Sequence, residues 1–171
     1  MAAFNVDGLT LTFPDDWQVS KYDEWSYYRN QFGRMAKSIR AVDLVAKAPG
    51  GTVWLVEVKD YRHSHAKVPA METLADVAWE KVYDTLAALV PASLLANDAG
   101  DRRLARGLCR GSALRVVLHV EQPMKKSALF PRGGIDPANL RMKLKQILKP
   151  IDPHALVAST GQMLNLPWGV H

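Results

Sequence analysis

The feature that most constrains the fold is an apolar run that ends in charged residues, at positions 53–59 (VWLVEVK). In a strand, successive side chains point to opposite faces, which places Glu57 and Lys59 on the same face as Leu55. Both faces are apolar as far as Val56, so the run predicts a central strand that is covered on both sides. A carboxylate and an ammonium then lie side by side at the edge of a buried layer.

A second charge occupies a similar position upstream, where Asp43 lies within the apolar segment 41–45 (AVDLV). Aspartate is unfavourable inside a strand, and a buried charge is costly unless it is paired, hydrogen-bonded or bound to a metal. Sequences break such local rules mainly where function requires it. The turn signal at 49–51 (PGG) predicts a hairpin, which would bring Asp43 and Glu57 onto neighbouring strands.

Two carboxylates on neighbouring strands, with a lysine beside one of them, predict a Mg²⁺ site. This ion prefers oxygen ligands and takes one or two carboxylates, while water and substrate phosphate complete its coordination. Lys59 could position or deprotonate an attacking water, or neutralise charge that develops on a phosphate. The alternative is purely structural, with Glu57 and Lys59 paired to each other and Asp43 capping a turn.

The pattern of Asp43, a spacer and Glu57-x-Lys59 resembles the PD-(D/E)xK nuclease superfamily, which has the restriction-endonuclease-like fold. Val42 stands where the motif has its proline, a position at which many members of the superfamily also depart from the pattern. The resemblance implies a three-layer α/β/α core of element order αβββαβ around a central mixed sheet.

The resemblance also implies an activity, a cofactor and a set of site residues. The expected activity is hydrolysis of DNA by a nuclease that depends on Mg²⁺, or alternatively on Mn²⁺. Asp43, Glu57 and the backbone carbonyl of Val58 are the expected metal ligands, and Lys59 is expected to act on the nucleophile. Glu24 is a further catalytic candidate, because the superfamily often carries an acidic residue in the first helix; a solvated helix face is the alternative.

Composition favours one compact cytoplasmic domain spanning residues 1–171, of which 48% are hydrophobic. The 22 basic and 17 acidic residues give a net charge of +5, which favours a polyanionic partner. A single cysteine, Cys109, excludes an internal disulfide and fits a reducing compartment. We expect no membrane association, because no segment has the roughly 18 uninterrupted apolar residues of a membrane span.

Periodicity and turn residues predict the order of elements along the chain. They predict a strand at 9–13, a helix at 22–35, strands at 38–46 and 52–61, a loop at 62–69, a helix that begins after Pro69 and stops at Pro91, a strand at 114–120, a loop at 125–136, a helix at 140–148 and a strand at 155–159.

Basic residues mark a candidate nucleic-acid surface. Arg141, Lys145 and Lys149 recur every four residues on one face of the late helix, and such a stripe can follow phosphates. Arg62 follows the motif lysine closely and could hold a phosphate. The alternative for the stripe is an ordinary solvated face.

Two other classes of function are consistent with these residues. One is a non-catalytic nucleic-acid-binding or assembly module that keeps the nuclease-like fold. The other is a metal-dependent enzyme acting on a small phosphorylated or nucleotide substrate, which would require a deep closed pocket over Asp43 instead of an open basic cleft. A homodimer is a further expectation for the nuclease, since two-fold pairing is a common way for small nucleases to reach both strands.

Overall fold

The chain has a mixed α/β fold in a computed structural model that describes residues 1–62, 68–123 and 134–171. The elements in chain order are β1 (Ala2–Val6), β2 (Leu9–Phe13), β3 (Gln18–Lys21), a 3₁₀ turn (Tyr22–Glu24), α1 (Ser26–Asn30), a second 3₁₀ turn (Phe32–Arg34), β4 (Leu44–Lys47), β5 (Thr52–Asp60), α2 (Met71–Leu95), α3 (Ala99–Leu108), β6 (Ala113–Glu121), α4 (Pro137–Ile147), β7 (Leu156–Ala158) and β8 (Gly169–Val170).

The main sheet is mixed and has five strands in the order β3-β4-β5-β6-β7. Strands β3, β4 and β5 pair antiparallel, while β5, β6 and β7 pair parallel. Parallel neighbours need a crossover connection, which α2 and α3 provide between β5 and β6, and α4 provides between β6 and β7. The predicted central mixed sheet is therefore confirmed, with β5 at its centre and the carboxyl ends of three parallel strands at one edge.

The two faces of the main sheet are covered differently. Leu55 packs against α2, α3 and α4 on one face, whereas Val56 and Val58 pack against residues of β1, β2 and β8 on the other. The predicted alternation along β5 is thus confirmed. The expected second helical layer is wrong for the described residues, because the small sheet β1-β2-β8 covers that face.

The small sheet forms because the chain begins with a tight hairpin. Asp7 and Gly8 both have positive φ angles, 49° and 84°, and Val6 pairs with Leu9 across them. This is the backbone that a two-residue Asp-Gly turn adopts between twisted strands. The predicted strand at 9–13 is confirmed as β2, whose alternate side chains are fully buried, whereas β1 was not predicted.

The segment before β4 differs from its prediction. The expected helix at 22–35 is instead three short turns, because Trp25 has an extended backbone (φ −60°, ψ 132°) that ends the first turn. The expected strand at 38–46 begins only at Leu44. Asp43 therefore lies directly before β4 and not inside a strand.

Helix α2 continues through Pro91, where the sequence predicts its end. A proline inside a helix removes one backbone hydrogen bond, at a cost of about 3 kcal/mol. Burial of the residues before and after Pro91 offsets this cost, since Ala88, Leu89 and Ala92 are all at most 4% exposed. Among the described helices, none is long and apolar enough to cross a membrane.

The remaining predictions concern the second half of the chain. The strand at 114–120, the helix at 140–148 and the strand at 155–159 are confirmed as β6, α4 and β7, with bounds that differ by up to three residues. The loops predicted at 62–69 and 125–136 lie largely outside the described residues.

Candidate active site

The site forms where β4 begins and β5 ends. Leu44 pairs with Val56 in the antiparallel ladder, and extending this register by one residue places Asp43 opposite Glu57. The Asp43 carboxylate accepts a hydrogen bond from the Val58 amide, with Oδ2 2.7 Å from the nitrogen. Asp43 thus bonds to β5 through its side chain, in place of the backbone hydrogen bond that a longer β4 would form there.

Four charged side chains converge at this point. The Lys59 ammonium lies 2.8 Å from Glu57 Oε1, and the Lys81 ammonium lies 2.6 Å from the same oxygen and 3.5 Å from Asp43 Oδ1. Their side-chain exposures are 3% for Glu57, 14% for Asp43, 16% for Lys81 and 26% for Lys59. The structure therefore brings together the three residues predicted from the sequence and adds a fourth from α2.

Lys81 was not predicted, although the sequence contains a signal for it. Leu74, Ala78 and Thr85 are buried on the sheet-facing side of α2, and Lys81 falls at the spacing i, i+4, i+7, i+11 that continues this face. A lysine on the buried face of a helix is a misplaced charge, which is the same signal that identifies Asp43 and Glu57.

Burial controls the protonation of the cluster. Desolvation, together with the nearby Asp43 carboxylate, raises the pKa of Glu57 to about 7 against the opposing effect of Lys81 and Lys59. Desolvation alone would lower the pKa of Lys59, but the adjacent Glu57 carboxylate outweighs it and raises that pKa above its ordinary value. Lys59 is therefore protonated at neutral pH.

A polar pocket of about 400 Å³ opens beside the cluster and is lined by Asn5, Val6, Asp7, Lys21, Asp23, Asp43, Val58 and Lys59. Asp23 belongs to this lining, and burial together with the nearby Asp43 and Glu24 raises its pKa. Glu24 instead pairs with Lys21 at 3.1 Å, and its side chain is 51% exposed. The acidic neighbour of the site in the first helical turns is thus Asp23, not the predicted Glu24.

The donor set fits one hard divalent cation. Glu57 Oε2 is buried and finds no hydrogen-bond partner among the described residues, which leaves a carboxylate oxygen available for an ion. The Val58 amide points toward Asp43, and in a strand the carbonyl of the same residue points to the same side. Within the described ranges, no three His, Cys, Asp or Glu side chains converge as a metal-binding group, so an ion at this point would have two carboxylates and the Val58 carbonyl as its protein donors.

The predicted phosphate contact at Arg62 lies on the opposite face of the sheet. Its guanidinium donates two hydrogen bonds, of 2.9 Å and 2.7 Å, to the Asp60 carboxylate. A buried cluster shares this face, in which Glu121 Oε1 accepts hydrogen bonds from Thr160 and lies 2.8 Å from His119 Nε2. Burial lowers the pKa of His119, so its ring is neutral at pH 7.

Only two of the three residues of the predicted basic stripe on α4 line the same cavity. Arg141 and Lys145 line a cavity of about 540 Å³ together with Asp136 and Gln162. Nε of Arg141 is buried and has no hydrogen-bond partner in the described part of the chain. Lys149 is exposed, lies two residues beyond the end of α4 and is not among the residues that line this cavity.

Comparison with known proteins gives a partial match. The chain is 30% identical, over 209 aligned positions that include 99% of its residues, to part of a cysteine–tRNA ligase from Neisseria meningitidis serogroup A. The alignment covers 30% of that protein, so the chain spans less than a third of the length of this curated relative. No model of a protein family and no solved structure matches the chain.

Proposed function

We propose that the protein is a Mg²⁺-dependent phosphodiesterase, with Mn²⁺ as the alternative ion, that hydrolyses DNA and has a restriction-endonuclease-like core. The observation that carries this proposal is the convergence of Asp43, Glu57 and Lys59 at one edge of a mixed sheet. The buried Glu57 Oε2 without a hydrogen-bond partner supports it, because a buried polar oxygen is rarely left without a partner.

Each residue of the proposed site has a distinct role. Asp43, Glu57 and the Val58 carbonyl would hold the ion. When bound, Mg²⁺ polarises the phosphate and lowers the pKa of a coordinated water. Lys59 is protonated, so of the roles open to it we assign stabilisation of charge on the phosphate and not removal of a proton.

Cleavage of a supercoiled plasmid and a labelled duplex in Mg²⁺ tests the proposal. We expect wild-type protein to cut both, EDTA to abolish cutting, and Lys59→Ala to slow it about 10²- to 10³-fold, as loss of one charge-stabilising group does in other enzymes. Lys37→Ala, which removes an exposed lysine, is the matched control. Wild-type cutting by Lys59→Ala would contradict the role given to Lys59.

A tRNA substrate belongs in the same assay, because the name of the partial relative specifies tRNA as that protein's substrate. Cleavage of tRNA but not of duplex DNA would retain the chemistry and change the substrate. Binding of either nucleic acid without cleavage would favour the alternative of a non-catalytic module. Light scattering of the purified protein tests the proposed homodimer directly.

A second candidate is a metal-dependent enzyme that acts on a small phosphorylated or nucleotide substrate. The pocket beside Asp43, with a volume of about 400 Å³, favours it, since pockets for small ligands measure roughly 300–1,000 Å³. Its lining is also not strongly basic, because Lys21 and Lys59 share it with Asp7, Asp23 and Asp43. Release of phosphate from nucleotides, with no cleavage of polymers, would establish this candidate.

A further inference from the structure

We propose that the Lys81 ammonium takes the place of a second metal ion at this site, so that the site accepts one divalent ion and not two. The inference rests on the proposed function, because it concerns how the same carboxylates bind metal. It is carried by the position of the Lys81 ammonium, which contacts both Asp43 and Glu57.

The Lys81 ammonium bridges the two carboxylates of the site. Its Nζ is 2.6 Å from Glu57 Oε1 and 3.5 Å from Asp43 Oδ1, so one ammonium spans the two carboxylates. Two-metal sites hold their ions about 3.5–4 Å apart between shared ligands. Because Lys81 contacts Glu57 Oε1 and Asp43 Oδ1, the buried Glu57 Oε2, which has no hydrogen-bond partner among the described residues, is the oxygen left for a single ion.

Two ions would have to share the same carboxylates. Within the described ranges no group of three potential metal-binding side chains forms, which leaves Asp43 and Glu57 as the convergent carboxylates. One Mg²⁺ is satisfied by one or two carboxylates with water and phosphate. A second ion would share the same two side chains and compete with the ammonium already bound there.

The net charge of the cluster also favours a single divalent ion. Asp43 and Glu57 together carry two negative charges when ionised, and Lys59 and Lys81 carry two positive charges, so the cluster is neutral before any ion binds. One divalent ion brings the cluster to +2, which an incoming phosphate can offset. A second would bring it to +4 in a largely buried place, where unbalanced charge is costly.

The helix keeps Lys81 in place. Ala78 and Thr85, one turn before and after Lys81 on the same face of α2, are at most 2% exposed. The Lys81 side chain is only 16% exposed, so it approaches the carboxylates from within the packed layer between α2 and β5. This distinguishes Lys81 from Lys59, which lines the open pocket.

Titration of the full chain with Mn²⁺ alone, by calorimetry and by equilibrium dialysis, tests the inference. We expect wild type to bind one Mn²⁺ per chain, Lys81→Met to bind two, and Lys81→Arg, which keeps the positive charge, to bind one. Lys37→Met at the surface is the matched control and should bind one. Two ions in wild type, or one in Lys81→Met, would overturn the inference, as would any other stoichiometry.

A measurement on wild type alone keeps the inference testable if Lys81→Met does not fold. Anomalous scattering from crystals grown with Mn²⁺ should show one ion beside Glu57 Oε2, with the Lys81 ammonium still bound to Oε1. Two ions, or a displaced Lys81, would overturn it. Failure of the proposed function itself gives a different result, in which no variant binds Mn²⁺ and none cuts nucleic acid.

Discussion

Glu57 is the residue on which the energetics of the site depend. It is buried and accepts contacts from Lys59 and Lys81 through one oxygen, while its other oxygen has no partner among the described residues. Removing one member of a buried ion cluster costs more than the cluster contributes, because the remaining charges lose their compensation.

The raised pKa of Glu57 predicts a specific pH dependence of stability. Between pH 4.5 and about 7, the native state keeps a proton on Glu57 that the unfolded chain has released, so stability falls as pH rises through this window. The slope from one such group is at most about 1.4 kcal/mol per pH unit. Urea unfolding at pH 5, 6 and 7 in EDTA should show this component in wild type and not in Glu57→Gln.

Wild type must be compared with Glu57→Gln because His119 changes the stability with pH in the opposite direction. Its lowered pKa makes the native state lose stability as pH falls below the ordinary value of 6.5. Subtracting the Glu57→Gln curve from the wild-type curve removes this shared contribution. Glu72→Gln, at an exposed position on α2, should leave the wild-type curve unchanged. Identical pH profiles for wild type and Glu57→Gln would contradict the assigned protonation.

At the scale of elements, the sequence predicts strand β5 and the residues on it well, because alternation and misplaced charge are both local signals. Asp43, Glu57 and Lys59 were found in this way, and they converge. Lys81 was missed because only the apolar positions of its helix were followed. The end of α2 was misplaced because burial around Pro91 is a tertiary effect that outweighs the local cost of proline.

Helix α4 offers a prediction at this scale. If its cations contact phosphate, replacing Arg141, Lys145 and Lys149 with Glu should weaken DNA binding at every salt concentration and flatten its salt dependence, by about 0.9 units of log–log slope per lost phosphate contact. The effect should be the same for any DNA sequence, since phosphate contacts carry no base information. Fluorescence anisotropy across a salt series measures both quantities.

The structure allows the contributions of these cations to be separated. Arg141 and Lys145 share one cavity, whereas Lys149 is exposed beyond the helix. We therefore expect the double variant Arg141→Glu/Lys145→Glu to account for most of the loss and Lys149→Glu alone for little. Unchanged affinity and slope in the triple variant would make the stripe an ordinary solvated face.

At the scale of the whole molecule, the second layer of the fold was not predicted from the sequence. The expected layer was helical, and the observed one is the sheet β1-β2-β8, which buries Leu11 and Phe13 against the main sheet. The local signal was present, because Asp7-Gly8 between apolar segments is a strong hairpin pattern. What the sequence could not give is the face on which this hairpin packs, since that depends on contacts distant along the chain.

One hydrogen bond joins this layer to the end of β5 and offers a test of how the molecule is held together. The Asp7 carboxylate accepts from the Asp60 amide at 2.7 Å, across 53 residues of sequence. Asp7→Gly should lower the free energy of unfolding by about 1–3 kcal/mol, because the Asp60 amide loses its acceptor in a part-buried position. Glycine also tolerates the positive φ at position 7, so backbone strain does not contribute to the loss. Asp7→Asn keeps an oxygen acceptor and tolerates the same φ, and it should retain most of the stability. Chemical unfolding of the three proteins at pH 7 measures the difference, and equal stability of Asp7→Gly and wild type would show that the hairpin is held by apolar packing alone.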